Sequence, residues 1–383
     1  MKAIVHIGMP KTGTTTIQEF LNQNQGKLLT QDIYVPPHEM DVHIPLFSHF
    51  LLFYSFVGQH PHELSLHLRS DLNDILKKGW LKDNNFSLYQ QQFGEEIKRK
   101  QCQTVFISSE YFVHSTEKMI PALKAWLDPL FDEISILIYL RRQPEWFISC
   151  YQQVMKYLQP CYSLDFEQLF LCDNVLSNDY YECLKKWDIF GKDNICVRIF
   201  DRKEMFQNDL LADFASVTGI DLDGQVIPER VNVSMSEAAT EFLRVMRNKF
   251  PNTDNTQELL LTRIVNQLLQ NYSQSGNKGY AMSRSIAQRI IDQYRESNNA
   301  VAREYLGREQ LFSDDVSMYP ETSLEPLTME QSLEISSKIL EGMHNEYEKL
   351  LTNYLEYRER HTLKGRIIGL PKKIKKFLTT GRC

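Results

Sequence analysis

No stretch of this 383-residue chain approaches 18 uninterrupted apolar residues, so no membrane-spanning helix is expected. Near Met1 there is no basic segment followed by a long apolar one, so no signal peptide is expected and a cytoplasmic location is. None of the seven Cys stands in a CxxC pair, and the 11-residue spacing of Cys161, Cys172 and Cys183 fits neither a zinc nor a redox motif. Reduced thiols are the expectation. Six of the ten His lie between residues 38 and 67, yet HExxH is missing, so no metal is expected. Nor is there an excess of positive charge: the formal net charge is −6, which argues against general nucleic-acid binding.

What is present is ample core material, with 42% hydrophobic and 11% aromatic residues. Segments 3–8, 103–109, 133–141 and 194–200 have the length and apolar density of buried strands. Helical patterns lie near 13–24, 62–78, 115–127, 144–158, 177–190 and 203–217. This alternation predicts an α/β fold, a mostly parallel P-loop-type sheet flanked by helices. Beyond about residue 232 the strand signals stop, and 234–250, 255–271, 283–305 and 328–358 read as helices. The expected organisation is an α/β core over 1–232, a helical C-terminal region over 233–362 packed on that core, and a basic tail over 363–383.

The segment from Ala3 to Thr16 carries the strongest chemical signal. An apolar run ends in Gly8-Met9-Pro10-Lys11-Thr12-Gly13-Thr14-Thr15-Thr16, and a helix-like pattern with Ile17, Phe20 and Leu21 on one face follows. A strand, a tight loop and a helix aim backbone N–H groups at an anion. Lys11 adds a point charge, and the Thr run adds hydroxyl donors at the helix start. Gly8 and Gly13 have Walker A spacing, but position 14 is Thr where Walker A requires Lys. Moving the Lys into the loop changes the ligand geometry.

A second polar cluster ends the third predicted strand. In Leu140-Arg141-Arg142-Gln143-Pro144-Glu145-Trp146-Phe147-Ile148-Ser149, Pro144 suits a first helical turn. An Arg at the strand end and a Ser about two turns on can grip one phosphate from two directions. Ser109-Glu110 ends another predicted strand. Ligands of parallel sheets bind at the carboxyl ends of strands, so the three clusters are expected to converge on one edge.

The Pro-Lys-Thr-Gly-Thr-Thr loop resembles the 5′-phosphosulfate loop of sulfotransferases that use 3′-phosphoadenosine 5′-phosphosulfate (PAPS). The run from His6 to Gln18 is most similar to bacterial, carbohydrate-type members of that family. The resemblance covers residues 3 to about 217, and extends less specifically through Arg230–Ser234 and through Ser297-Asn298-Asn299-Ala300 to Phe312. It implies PAPS as co-substrate, with Lys11, Thr12, Gly13, Thr14, Thr15 and Thr16 holding the 5′ end. Arg141 and Ser149, eight residues apart, would hold the 3′-phosphate, with Arg142 as the fallback Arg. The adenine-side Arg-Lys-Gly loop of the steroid- and phenol-sulfating branch has only a weak echo in Lys364-Gly365-Arg366.

The implied reaction moves a sulfuryl group to a hydroxyl or amine of a carbohydrate or glycolipid-type acceptor. Lys11 would stabilise charge developing on the sulfuryl group and the leaving phosphate. Family relatives carry a His or Glu base on the segment after the first helix. His43 is the first choice here, Glu39 the second, and Glu110 the third. The tail has Lys364, Arg366, Lys372, Lys373, Lys375, Lys376 and Arg382 and no acidic residue. That composition suits a solvated end, a peripheral contact with an anionic inner leaflet, or an anionic glycan. Two rival classes stay open: a P-loop kinase acting on ATP, with Ser109-Glu110 as its acidic strand end, and a non-catalytic nucleotide-binding scaffold.

Overall fold

The computed structural model describes residues 1–37, 48–58, 60–81, 85–156, 178–228, 236–249, 264–265, 267–268, 282–322 and 327–361. His43 and Glu39, most of 255–271, the Arg230–Ser234 loop and the basic tail lie outside the described residues.

The chain divides into two compact units. The first holds Met1–Cys150, Phe170–Asn232 and Met282–Ser323. It is α/β, as the alternation of patterns predicts. Its strands are β1 (Lys2–His6), β2 (Ile33–Tyr34), β3 (Thr104–Ser108), β4 (Glu133–Leu140) and β5 (Ile195–Ile199). They form one sheet in the order β2-β3-β1-β4-β5, and every pairing is parallel. Two-residue β2 escapes the sequence pattern because it is too short to show a period.

Helices α1 (Thr14–Gln23), α2 (Gln25–Thr30), α3 (Phe50–Val57), α4 (Leu66–Lys77), α5 (Phe86–Lys100), α6 (Met119–Leu127), α7 (Gln143–Lys156), α8 (Tyr180–Trp187) and α9 (Leu210–Thr218) connect or follow these strands. Helix α3 leaves no periodic trace in the sequence, because its eight residues are all buried and carry no polar face to set a helical period. Helix α5 also lies outside the helical segments expected from the sequence; Asn85 caps it by accepting from the Leu88 N–H at 2.9 Å. Ile4, Phe106, Leu137 and Tyr139 project from one sheet face onto Ile17, Phe20 and Leu21 of α1 and Leu211 and Phe214 of α9. Residues between them in sequence, such as Val5, Ile107, Ile136 and Ile138, are buried too. Burial on both faces explains why these strands read as continuous apolar runs.

One ion pair with a buried carboxylate ties this layer together. Asp213 of α9 is fully buried; it pairs with Arg198 of β5 and accepts from Tyr139 Oη of β4 at 2.8 Å. It also accepts from the Phe206 N–H at 2.8 Å.

Helix α10 (Glu237–Lys249) follows in sequence, then α11 (Arg284–Leu306) and α12 (Met329–His361). Helix α11 belongs to the first unit, where its buried face packs on α8. Gly307, at φ 62, ends it with an N–H to the Ala302 carbonyl. The second unit comprises Tyr151–Leu169, Val233–Ala281 and Leu324–Cys383. In it α10 packs on α12, where Ile335 and Ile339 are buried. A Cβ on Gly342 of α12 would meet Gln267 Oε1 at 1.7 Å, so glycine lets that side chain reach the helix backbone. Among the described residues no helix is long and apolar enough to cross a membrane.

Candidate functional site

The sheet order places a crevice beside β1. The connection after β1 leads toward β2, and the connection after β4 leads the other way, toward β5. The loops following β1 and β4 therefore flank a topological switch point, the usual ligand position in such sheets. Registers His6↔Ser108 and His6↔Leu137 put the ends of β3 and β4 on the same edge as the end of β1.

The β1 loop is built by three residues with positive φ: Gly8 (41°), Lys11 (67°) and Gly13 (80°). Glycine is required at two of them by neighbours as well as by φ. A Cβ on Gly8 would stand 2.9 Å from Thr14 Cγ2 and 3.0 Å from Glu110 Cα, so the loop, α1 and the end of β3 meet there. A Cβ on Gly13 would stand 2.3 Å from Leu210 Cδ2 and 2.9 Å from Phe200 Cε2. Thr12 is fully buried and donates to the Met9 carbonyl at 2.5 Å, closing the turn. Trp146 Nε1 of α7 donates to the Pro10 carbonyl at 2.9 Å, fixing the tip from the other side. Helix α1 begins directly at Thr14, with Thr15 and Thr16 in its first turn. The N–H groups of a first helical turn have no partner within the helix and face outward as donors.

The β4 end meets this loop directly. Arg141 Nη1 donates to the Lys11 carbonyl at 3.1 Å, and the guanidinium lies 5.6 Å over the Phe200 ring. The Arg141 carbonyl in turn accepts from the buried Tyr180 hydroxyl. Two adjacent arginines thus have different tasks. Arg142 donates to the carbonyls of Ser313 and Asp315, each at 2.7 Å, and to Glu145 Oε1 at 2.7 Å. Tyr319 Oη also donates to Glu145 Oε1 at 2.7 Å, so Arg142 is occupied in holding the segment after α11.

Ser149 is half-buried on α7, three residues after Trp146 and thus on the face that touches the loop. Cys150, next to it, lies close enough to Lys11 and Arg141 to feel both charges. Burial nevertheless pushes its thiol up to about 12, so it is a thiol at neutral pH. Its place by the two cations carried no sequence signal.

Electrostatically the site has two half-buried cations and one carboxylate. Burial lowers the Lys11 ammonium below its ordinary value, Glu110 pulls it back, and Arg141 lowers it further. Burial likewise lowers Arg141. Glu110 is raised by burial, while the Thr14 hydroxyl, donating to its Oε2 at 3.2 Å, and Lys11 hold it down. Keeping two cations partly out of water costs free energy, which an anion between them would offset.

Behind the loop, His6 is fully buried, with Nδ1 2.9 Å from Ser108 Oγ and Nε2 without a partner. Burial lowers it to about 4, so it is neutral and structural. His49 accepts the Ser108 N–H on Nδ1 at 2.9 Å, and its Nε2 donates to the Pro36 carbonyl at 2.9 Å. It bridges backbone and is no free base. Asn298, in the stretch with a family look, exchanges paired side-chain hydrogen bonds with Gln143 at 2.8 and 2.9 Å, fixing α11 at the start of α7. Among the described residues no three His, Cys, Asp or Glu side chains are placed to hold a metal ion.

No family model matches this chain. An uncharacterized protein of Archaeoglobus fulgidus is 27% identical to it over 269 residues, 66% of this chain and 71% of that protein. No solved structure matches it.

Proposed function

We propose that this protein is a PAPS-dependent sulfotransferase acting on a hydroxyl or amine of a carbohydrate or glycolipid-type acceptor. The observation that carries the reading is the hydrogen bond from Arg141 to the Lys11 carbonyl, which joins two cationic elements 130 residues apart at the switch point of the sheet. A nucleotide with phosphate groups at both 3′ and 5′ positions needs two anion sites at fixed separation. Lys11 and the Gly13–Thr16 amides suit the 5′ end; Arg141 and Ser149 suit the 3′-phosphate.

In the proposed reaction the acceptor oxygen or nitrogen forms a bond to sulfur as the bond from sulfur to the bridging phosphate oxygen breaks. The acceptor proton passes to a base, and the leaving phosphate keeps the electron pair. Lys11 and the α1 N-terminus stabilise that leaving charge. Glu110 stands against the loop, accepting from Thr14 Oγ1 at 3.2 Å, and its burial-raised pKa suits proton transfer. His43 stays the first-choice base, since an imidazole titrates near neutrality. His43→Gln should abolish turnover and leave PAPS affinity nearly intact; normal turnover in that variant transfers the role to Glu110 or Glu39.

A kinase reading draws on one specific observation, the Thr14 hydroxyl paired with Glu110 at a neighbouring strand end. In P-loop enzymes such a hydroxyl and an acidic strand end hold Mg²⁺. Calorimetry separates the two. The sulfotransferase reading expects tight, metal-independent binding of 3′-phosphoadenosine 5′-phosphate, weakened in Lys11→Ala and Arg141→Ala. Preference for Mg-ATP with no response at Arg141 would overturn it.

A further inference from the structure

Helix α12 carries an apolar seam that is more than half exposed among the described residues. Leu333, Leu340, Tyr347, Leu350, Tyr354 and Tyr357 are each between 56% and 67% exposed. Single exposed apolar residues are ordinary on any surface. These are not scattered. Residues 333, 340, 347 and 354 recur every seven positions, and 350 and 357 fall three positions after 347 and 354. Ser336 and half-buried Met343 complete the alternation of three- and four-residue steps. That is a heptad seam from Leu333 to Tyr357, about 37 Å long at the rise of an α-helix. Ile335 and Ile339, which are buried, stand about 100° or more around the helix from Leu333 and Leu340.

We infer that α12 pairs with α12 of a second copy of this chain, through the seam from Leu333 to Tyr357. A period of 3.5 residues keeps a stripe facing another helix along its whole length once the two supercoil, whereas on a straight helix the stripe drifts by about 20° per heptad. Each of the six side chains offers roughly 100 Å², so two copies would cover about 1,200 Å², the lower bound of a standard specific interface. Leu351 and Leu355, also exposed, border the seam and extend that area. The same stripe on both copies is self-complementary, as a two-fold interface requires.

Charge argues against an anionic lipid surface as the occupant. Along the described second half of α12, exposed Glu341, Glu348 and Glu356 outnumber exposed Lys349 and Arg358. Helices that lie on anionic membranes carry a basic polar face.

The test is sedimentation equilibrium of the full chain across the micromolar range. The expected result is a dimer whose association constant falls at least tenfold in Leu350→Ser and is lost in Tyr347→Glu/Leu350→Glu. Helical circular dichroism and binding of 3′-phosphoadenosine 5′-phosphate should be unchanged in both, because these side chains already stand in solvent. Glu348→Lys, off the seam, should remain dimeric. A chain that stays monomeric, or a dimer indifferent to the double substitution, overturns the inference. Monomers that co-sediment with phosphatidylserine vesicles, and lose this in the double variant, would assign the seam to lipid and overturn it equally.

Discussion

The sheet of the first unit and helix α12 of the second place their large apolar side chains in opposite environments. Phe106, Leu137 and Tyr139 stand between two layers of helices, while Leu340, Tyr347 and Tyr354 stand in water. The contrast separates residues whose contacts are complete within one chain from residues whose pattern calls for a second one. A sheet with both faces covered needs no partner. A helix with a seven-residue repeat on an open side does.

The contrast is sharpest at Asp213. Asp213→Ala leaves the half-buried Arg198 unpaired and takes the acceptor from the Tyr139 hydroxyl and the Phe206 N–H, so unfolding stability should fall by about 2–4 kcal/mol in chemical denaturation. The same carboxylate sets a pH dependence. Burial pushes its pKa up, but hydrogen bonds from Arg198, the Phe206 N–H and Tyr139 outweigh that and leave it below the usual range. A depressed carboxylate stabilises the fold above its unfolded pKa of about 4 and loses that contribution as pH falls through the folded value. The urea midpoint should therefore drop below about pH 4 in the wild type, and less steeply in Asp213→Asn.

Next in size is the difference between two adjacent arginines. Arg141→Ala should weaken 3′-phosphoadenosine 5′-phosphate binding by about 10- to 100-fold, the worth of one charged hydrogen bond. Arg142→Ala should leave that affinity within about twofold and lower stability by about 1–2 kcal/mol, because it frees the Ser313 and Asp315 carbonyls. Equal effects of the two on nucleotide binding would break the distinction. Gly13→Ala should cost about 1–2 kcal/mol in thermal unfolding, since the new Cβ meets Leu210 and Phe200 at positive φ. The smallest effect belongs to α12. Leu340→Ser, measured at dilution below dimer dissociation, should change stability by no more than about 0.5 kcal/mol. A loss comparable to that of a core leucine would mean that the seam packs within one chain.

Much of the fold could be read along the chain because buried parallel strands leave a strong local trace. The runs ending at His6, Ser108, Leu140 and Ile199 are dense in apolar residues and close with polar or glycine residues. Helix α3 was invisible because burial on all sides erases its period, and β2 because two residues cannot show one. At the site, Lys11, the Thr run and Arg141 could be picked out because their types and order along the chain are themselves the signal. Cys150 could not, because its proximity to Lys11 arises only when α7 folds back over the loop. Of the three candidate bases, Glu110 is the one whose position is described, and its hydrogen bond to Thr14 spans 96 residues.

The sequence by itself determined the α/β class, the Gly-Lys-Thr composition of the β1 loop and the seven-residue spacing in α12. These follow from short-range rules, since periodicity, turn residues and helix starts act over a few positions. Tertiary structure alone decided that Arg141 rather than Arg142 reaches the Lys11 loop, and that Met282–Ser323 joins the sheet unit. It also decided that the α12 seam is open to solvent. Two neighbouring arginines have the same local chemistry, and an apolar stripe has the same spacing buried or exposed. Only the through-space surroundings distinguish them.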